Sequence, residues 1–249
     1  MRVTLTGATG LIGPRVVAAL RARGDDVTAL SRDPERARRR LESSTRLSWP
    51  EQGGDPSAGA PAGGLEAAHW DPMREPAPAH ALAGHDAVVH LAGENIAQRW
   101  TPNAKRAIRE SRTVGTRHLV QGLALLGEQE RPSVLVGGSA IGYYGPHGEE
   151  PIDEEVPCGD DFLAGTCGAW ESETVAAERF GMRVVRVRTG VVLDRRGGAL
   201  AKMLPPFRAG VGGAVAGGRQ YISWVHPDDL VGIVLSAIDT DTWSGPVNA

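Results

Sequence analysis

The segment TGATGLIG, residues 6–13, constrains this chain more than any other feature of it. It closes the apolar run Val3–Thr6 and leads into Leu11, Ile12, Val16, Val17 and Leu20 at helical spacing, with Gly24 as the stop. A strand, a glycine turn and an amphipathic helix in that order bring backbone N–H groups to the positive end of a helix, where a pyrophosphate is stabilised. Ordinary turn glycines give the same string, so its place between strand and helix is what makes it informative. Gly7, Thr9, Gly10, Leu11, Ile12 and Gly13 are the expected dinucleotide contacts.

Short apolar runs then alternate with helical patterns along the 249 residues. That alternation is the mark of an α/β fold, a doubly wound parallel sheet covered by helices on both faces. Further strands are expected at Asp26–Leu30, Leu65–Trp70, Ala87–Leu91, Val134–Val136 and Arg183–Arg188. Helices are expected over 34–41, 101–126 and 161–180, with Ile108, Val114, Leu119, Val120 and Leu123 facing inward on the second. Residues 50–64 hold Pro, Gly and Ala without periodicity and read as a surface loop rather than a linker. From Gly197 the pattern loosens into a short helix, a Tyr221–Val225 strand and a Pro227–Ile238 helix. One domain over 1–249 is expected, with a small C-terminal substrate-side lobe from about residue 197.

The second strand ends in Ser31-Arg32. An acid there favours NAD, whereas a hydroxyl and a planar cation accommodate a 2′-phosphate, so the cofactor expected is NADP(H). Asp33 next door weakens that contrast, and a solvated arginine is the plainer reading in a chain with 25 arginines and only two lysines, Lys105 and Lys202. The formal charge, −3, offers no field for nucleic acid, and no apolar run approaches a membrane span. With Cys158 and Cys167 the only cysteines, no disulfide framework is expected. The seven histidines show no metal-ligand spacing, and no metal site is expected. The start has no signal-peptide pattern, so a cytoplasmic protein acting on a small molecule is the default, with its oligomeric state open.

Six segments in order resemble the extended short-chain dehydrogenase/reductases, and most closely their atypical, sugar-nucleotide epimerase-like branch. They are TGATGLIG, HLAGENIA (90–97), RW…SRTVGT (99–116), SAIGYYG (139–145), RTGVVL (188–193) and ISWVHPDDL (222–230), spread over the whole chain. The resemblance implies a Rossmann fold, NADP(H) binding, and an oxidoreductase or epimerase acting on a carbonyl or sugar-nucleotide-like molecule. It places Leu91, Ala92 and Gly93 beside the nicotinamide ribose, points Arg112 at the sheet as a further cofactor contact where asparagine is usual, and brings Val192 to the nicotinamide end. On apolar character alone, Leu91 and Val192 read simply as buried strand residues. His226 and Asp228 are expected to cap and brace the helix that follows them. Members usually run on past a GPVNA-like strand, so a shortened C-terminus is expected.

The resemblance breaks at the catalytic pair. No Tyr-x-x-x-Lys occurs, because His147, Gly148 and Val225 stand four residues after Tyr143, Tyr144 and Tyr221. Registering on Glu171 puts Leu163 and Cys167 at the two positions. The catalytic candidates left are Tyr144, preferred as a proton donor for carbonyl reduction, and then Ser139, with Glu171 as an orienting group. Cys167 reads as a buried hydrophobe. A protein that binds NADP(H) as a sensor or interaction module, without turnover, is the alternative.

Overall fold

Strand β1 (Arg2–Thr6) buries Val3 and Leu5 on one face and Thr4 and Thr6 on the other. Burial on both faces is what the middle of a parallel sheet requires. The computed structural model, which describes residues 1–44, 63–214 and 216–249, puts β1 third of seven strands. The others are β2 (Asp26–Ser31), β3 (Leu65–His69), β4 (Ala87–His90), β5 (Val134–Ala140), β6 (Arg183–Thr189) and, after two strands outside this sheet, β9 (Gly245–Asn248). Their order is β3-β2-β1-β4-β5-β6-β9, and every pairing is parallel. The order reverses between β1 and β4, so a crevice opens at the carboxyl ends of those two strands.

Helices α1 (Gly13–Ala22) and α6 (Pro227–Asp239) cover one face, where Val16, Leu20, Val231 and Val234 meet Val3, Leu5 and Val89. The other face carries α3 (Pro102–Ala124), whose Leu119 and Leu123 pack with Trp70, Leu82 and Leu135. It also carries α4 (Phe162–Val175), seated against Gly137 and Gly138 of β5. α2 (Pro34–Ser44) follows β2, and α5 (Gly198–Arg208) lies beyond the sheet with no buried residue. No helix among the described residues is long and apolar enough to cross a membrane.

Several boundaries move. The fifth strand runs on to Ala140 through two glycines that strand rules treat as breaks. A Cβ on Gly137 would come within 2.6 Å of Thr174, and one on Gly138 within 3.1 Å of Trp170, so α4 approaches only because those side chains are missing. The expected Tyr221–Val225 strand shrinks to β8 (Trp224–Val225), because Tyr221 and Ile222 are exposed and unpaired in the sheet. β8 pairs with the unanticipated β7 (Val191–Asp194). Leu11 belongs to the turn rather than to α1, and Val114 is only half-buried. Residues 50–62 of the expected loop lie outside the described residues.

His226 caps α6 as expected, its Nδ1 accepting from the Asp228 N–H at 3.3 Å. Asp228 also accepts from Arg15 Nη1 at 2.8 Å, while Arg15 Nη2 donates to Asp194 at 3.0 Å. One arginine thereby ties the first turn of α1 to α6 and to β7.

Candidate functional site

The glycines of the turn divide by what surrounds them. Gly7 has φ +71°, and a Cβ on it would stand 2.6 Å from the main chain of Leu91. A Cβ on Gly13 would stand 2.4 Å from the Gly7 carbonyl. Both are therefore demanded by the fold itself. Gly10 is different, since its only near neighbour would be the Gly7 oxygen at 3.2 Å. Its open side faces the crevice. Pro14 opens α1 without an N–H to lose, and no side chain caps the helix, so the first-turn donors have no side-chain partner. A turn that a Cβ would fill, over an uncapped helix, fits a dinucleotide pyrophosphate.

Among the described residues three cavities touch the turn, one of them, about 460 Å³, lying over Pro14 and Arg15 of α1, and the other two opening toward the crevice. One, of about 310 Å³, runs from Thr9 and Gly10 past Ser31 and Arg32 to Trp70 and Gly93. Ser31 Oγ donates to the Asp33 carbonyl and accepts from the Asp33 N–H, both at 3.2 Å. The Asp33 carboxylate accepts from the Arg36 N–H at 3.0 Å, so this acid serves the start of α2. Arg32 is exposed at the cavity mouth and makes no ion pair among the described residues. The Asp33 carboxylate is thus engaged by the start of α2, while Arg32 has no ion-pair partner among the described residues.

The second cavity, about 220 Å³, is lined by Gly10, Ile12, Leu91, Ser139, Trp170 and Val192 among others. Its floor is held from beneath by His90, which has no exposed surface. The imidazole hydrogen-bonds through Nδ1 with Thr6 Oγ1 at 2.7 Å and through Nε2 with Thr116 Oγ1 at 2.9 Å. Thr6 Oγ1 also accepts from the Ala92 N–H at 3.3 Å, so β1, α3 and the loop carrying Leu91, Ala92 and Gly93 share one buried polar joint. Burial pulls the His90 imidazole down to about 4, which keeps it neutral. Sequence reasoning missed this residue, because a histidine ending an apolar strand gives no sign of its partners.

Arg112 lies against the same loop, its Cζ 3.2 Å from where a Gly93 Cβ would be. Nη1 donates to the carbonyls of Glu94 and Ile108 at 3.1 and 3.0 Å, and the guanidinium sits 5.2 Å over the Trp170 ring. Burial depresses its pKa, opposed by Cys167 and Glu94. Cys167 is itself buried, and loss of solvent pushes its thiol up to about 11, which makes it a poor nucleophile. The buried Trp170 indole N–H has no hydrogen-bond partner among the described residues.

Ser139 and Tyr144 are joined by a buried network rather than set side by side. Ser139 Oγ donates to Glu171 Oε1 at 2.6 Å. Arg188 clamps the same carboxylate through Nε and Nη2 at 2.9 and 3.0 Å, and Arg186 Nη1 adds a third guanidinium contact at 3.0 Å. Arg188 Nη1 then donates to Tyr144 Oη at 2.9 Å, and that hydroxyl donates to Asn248 Oδ1 at 2.6 Å. Burial opposes the charge on Arg188, but its bonds to Glu171 and Tyr144 outweigh it and raise the pKa. Ser139 lines the 220 Å³ cavity. Tyr144 instead lines a separate depression beside Tyr221 and Trp224. The expected ranking, Tyr144 ahead of Ser139, is not the order in which the two reach the crevice, and Glu171 meets Tyr144 only through Arg188.

A parallel sheet reversing at β1 and β4, with a glycine turn at an uncapped helix, defines a dinucleotide-binding α/β protein. The chain belongs to the NAD dependent epimerase/dehydratase family, whose model matches residues 3–248. The chloroplastic epimerase family protein SDR39U1 homolog of Arabidopsis thaliana is 36% identical over 248 residues, covering 100% of this chain and 65% of that protein. An epimerase family protein of Mycobacterium bovis is 38% identical over 247 residues, 99% of this chain and 72% of its own length. This chain therefore spans less than two thirds of the Arabidopsis relative. Among solved structures, human epimerase family protein SDR39U1 (isoform 2) with NADPH matches with a TM-score of 0.77 at 32% identity, covering 100% of this chain and 74% of that one.

Proposed function

We propose that this protein binds NADP(H) and exchanges hydride with an alcohol or carbonyl carbon held beside Ser139. The observation that carries the cofactor half is the unpaired Arg32 at the end of β2, with the neighbouring Asp33 turned into α2. A guanidinium there suits a 2′-phosphate. NADPH in the solved human relative agrees with that reading. The pyrophosphate is assigned to the turn residues Gly7, Thr9, Gly10, Leu11, Ile12 and Gly13, with Ser31 beside Arg32, and Leu91, Ala92, Gly93 and Val192 around the nicotinamide half.

Ser139 is the polar side chain of β5 that reaches the apolar cavity. Its proton is directed at Glu171, a carboxylate paired with two arginines, so the serine turns lone pairs toward the crevice. It therefore accepts from a substrate hydroxyl. As hydride leaves the carbinol carbon for NADP+, the hydroxyl proton passes to Ser139 Oγ and the serine's own proton to Glu171 Oε1, with both steps reversed for a carbonyl. The accepting serine favours the alcohol as the bound form, against the carbonyl reduction expected when Tyr144 was placed there. Tyr144 is assigned a positioning role at the outer end of the network.

Titration with NADPH and NADH, followed by hydride-transfer assays in both directions over an alcohol and carbonyl panel, tests this. Binding of NADPH at least tenfold tighter than NADH, with turnover lost in Ser139→Ala, is the expected result. Equal affinities overturn the NADP assignment. Tight NADPH binding with no transfer in either direction leaves the non-catalytic sensor, which the absence of Tyr-x-x-x-Lys favours.

A further inference from the structure

We infer that Arg112 is an anion fork that anchors a carboxylate of the substrate beside the Ser139 cavity; this rests on the redox reading above. The guanidinium is fixed on one side only. Nη1 spends both its hydrogens on the Glu94 and Ile108 carbonyls, and Trp170 supports one face of the plane. Nε and Nη2 donate to no protein atom, and neither is among the buried atoms lacking a partner, so both reach solvent. The Nε–Nη2 edge presents two parallel N–H bonds, the geometry that receives both oxygens of a carboxylate. Trp170 lines the 220 Å³ cavity and Gly93 the 310 Å³ one, and Arg112 lies between these two residues, with Nη2 3.3 Å from where a Gly93 Cβ would be.

Glu94 acts on this charge only through space, and no carboxylate pairs with it among the described residues. Glu94 gives Arg112 a carbonyl, and its Oε1 accepts from Gln98 Nε2 at 3.4 Å. A guanidinium withdrawn from water without a counter-charge is costly, and an incoming carboxylate offsets that cost. The loop above adds to the attraction. Lys202 Nζ donates to the Ala97 carbonyl at 2.8 Å, and Lys105 stands 5.9 Å over Trp100 and 5.0 Å over Phe162. The chain's only two lysines, 97 positions apart, thus flank one loop, and neither meets an acid among the described residues. The substrate class is a hydroxy or oxo acid.

Calorimetric titration of oxalate, acetate and inorganic phosphate, with and without saturating NADPH, tests the assignment in wild type, Arg112→Lys and Arg112→Met. Expected is saturable 1:1 binding of the carboxylates to wild type, weakened at least tenfold in Arg112→Lys, which keeps the charge but not the fork, and lost in Arg112→Met. NADPH affinity should stay within about twofold in both variants, since the dinucleotide phosphates are assigned elsewhere. Carboxylate binding unchanged in Arg112→Met, no binding to wild type, or preference for phosphate overturns the proposal. So does a fall of about tenfold or more in NADPH affinity with carboxylate binding kept, because the fork would then serve the cofactor. Failure of NADPH itself to bind wild type strikes the redox reading instead, and the titrations without cofactor separate the two.

Discussion

Ser139 and Glu171, 32 positions apart, meet through a 2.6 Å hydrogen bond at the carboxyl end of β5, where the strand leaves the sheet beside the crevice. The bond sets which way the serine proton points and therefore what the crevice sees. Ser139→Ala removes that group while Glu171 keeps both arginines, so folding should lose only about 1 kcal/mol. Turnover should fall by roughly 100-fold with NADPH affinity kept. Tyr144→Phe should do the reverse. It strips partners from Asn248 and Arg188, both inside the network, and should cost about 1–3 kcal/mol of stability with a smaller effect on turnover. Denaturant melts and steady-state rates on the two variants decide between the hydroxyls; a larger rate loss in Tyr144→Phe restores the tyrosine.

Gly7 and Gly10 should separate fold from binding. Gly7→Ala forces a Cβ onto the Leu91 main chain at positive φ, and should lower stability by about 1–3 kcal/mol. Gly10→Ala meets one oxygen at 3.2 Å and otherwise open crevice. Its melting curve should stay near wild type while NADPH affinity drops by about tenfold or more, because the new methyl occupies the pyrophosphate's approach. An equally tight complex in Gly10→Ala removes the turn from the binding site.

The strand–glycine–helix unit was legible because its pattern is contiguous in sequence, even though the constraint on Gly7 comes from Leu91, 84 positions on. The Ser139–Glu171–Arg188–Tyr144 network was not, although each residue was in view. A glutamate in a helix reads as a solvated face, and an arginine in a strand reads as an edge. Only the packing of α4 on the sheet buries both against each other. Asp33 could have been read better, since an aspartate just before proline and a helical run is a capping signal. β7, four residues long, offered too little pattern to register. The convergence of Lys105 and Lys202 on one loop depends wholly on where α5 comes to rest.

Arg32→Ala should weaken NADPH binding by roughly tenfold or more, the scale of a hydrogen bond to a charged group, and leave NADH nearly unchanged. The difference should shrink as salt rises, because Arg32 is exposed and its attraction is screened. Loss of affinity for both cofactors alike would instead locate Arg32 on a feature they share. Fluorescence titration at two ionic strengths is sufficient.

His90 should make the fold acid-sensitive before any carboxylate titrates. Its folded pKa is about 4, against about 6.5 for an unfolded histidine, and the cause is burial of the imidazole. Between those values the unfolded chain takes up a proton that the native protein refuses, so unfolding gains free energy as pH falls. The contribution is whole above about pH 6.5 and is lost progressively toward pH 4, at up to about 1.4 kcal/mol per unit, or about 3 kcal/mol across the window. His85, also buried and shifted the same way by desolvation, adds a slope of the same sign. Protonating His90 in the native protein would disturb its hydrogen bonds with Thr6 and Thr116, and Thr6 holds the loop at Ala92, so cofactor affinity should decline only as the pH approaches about 4. Urea unfolding at intervals from pH 7 to 4.5 should show a steeper loss of stability in wild type than in His90→Gln, whatever the absolute cost of the substitution at pH 7. Parallel slopes in the two proteins would show that His90 takes no part in the acid sensitivity.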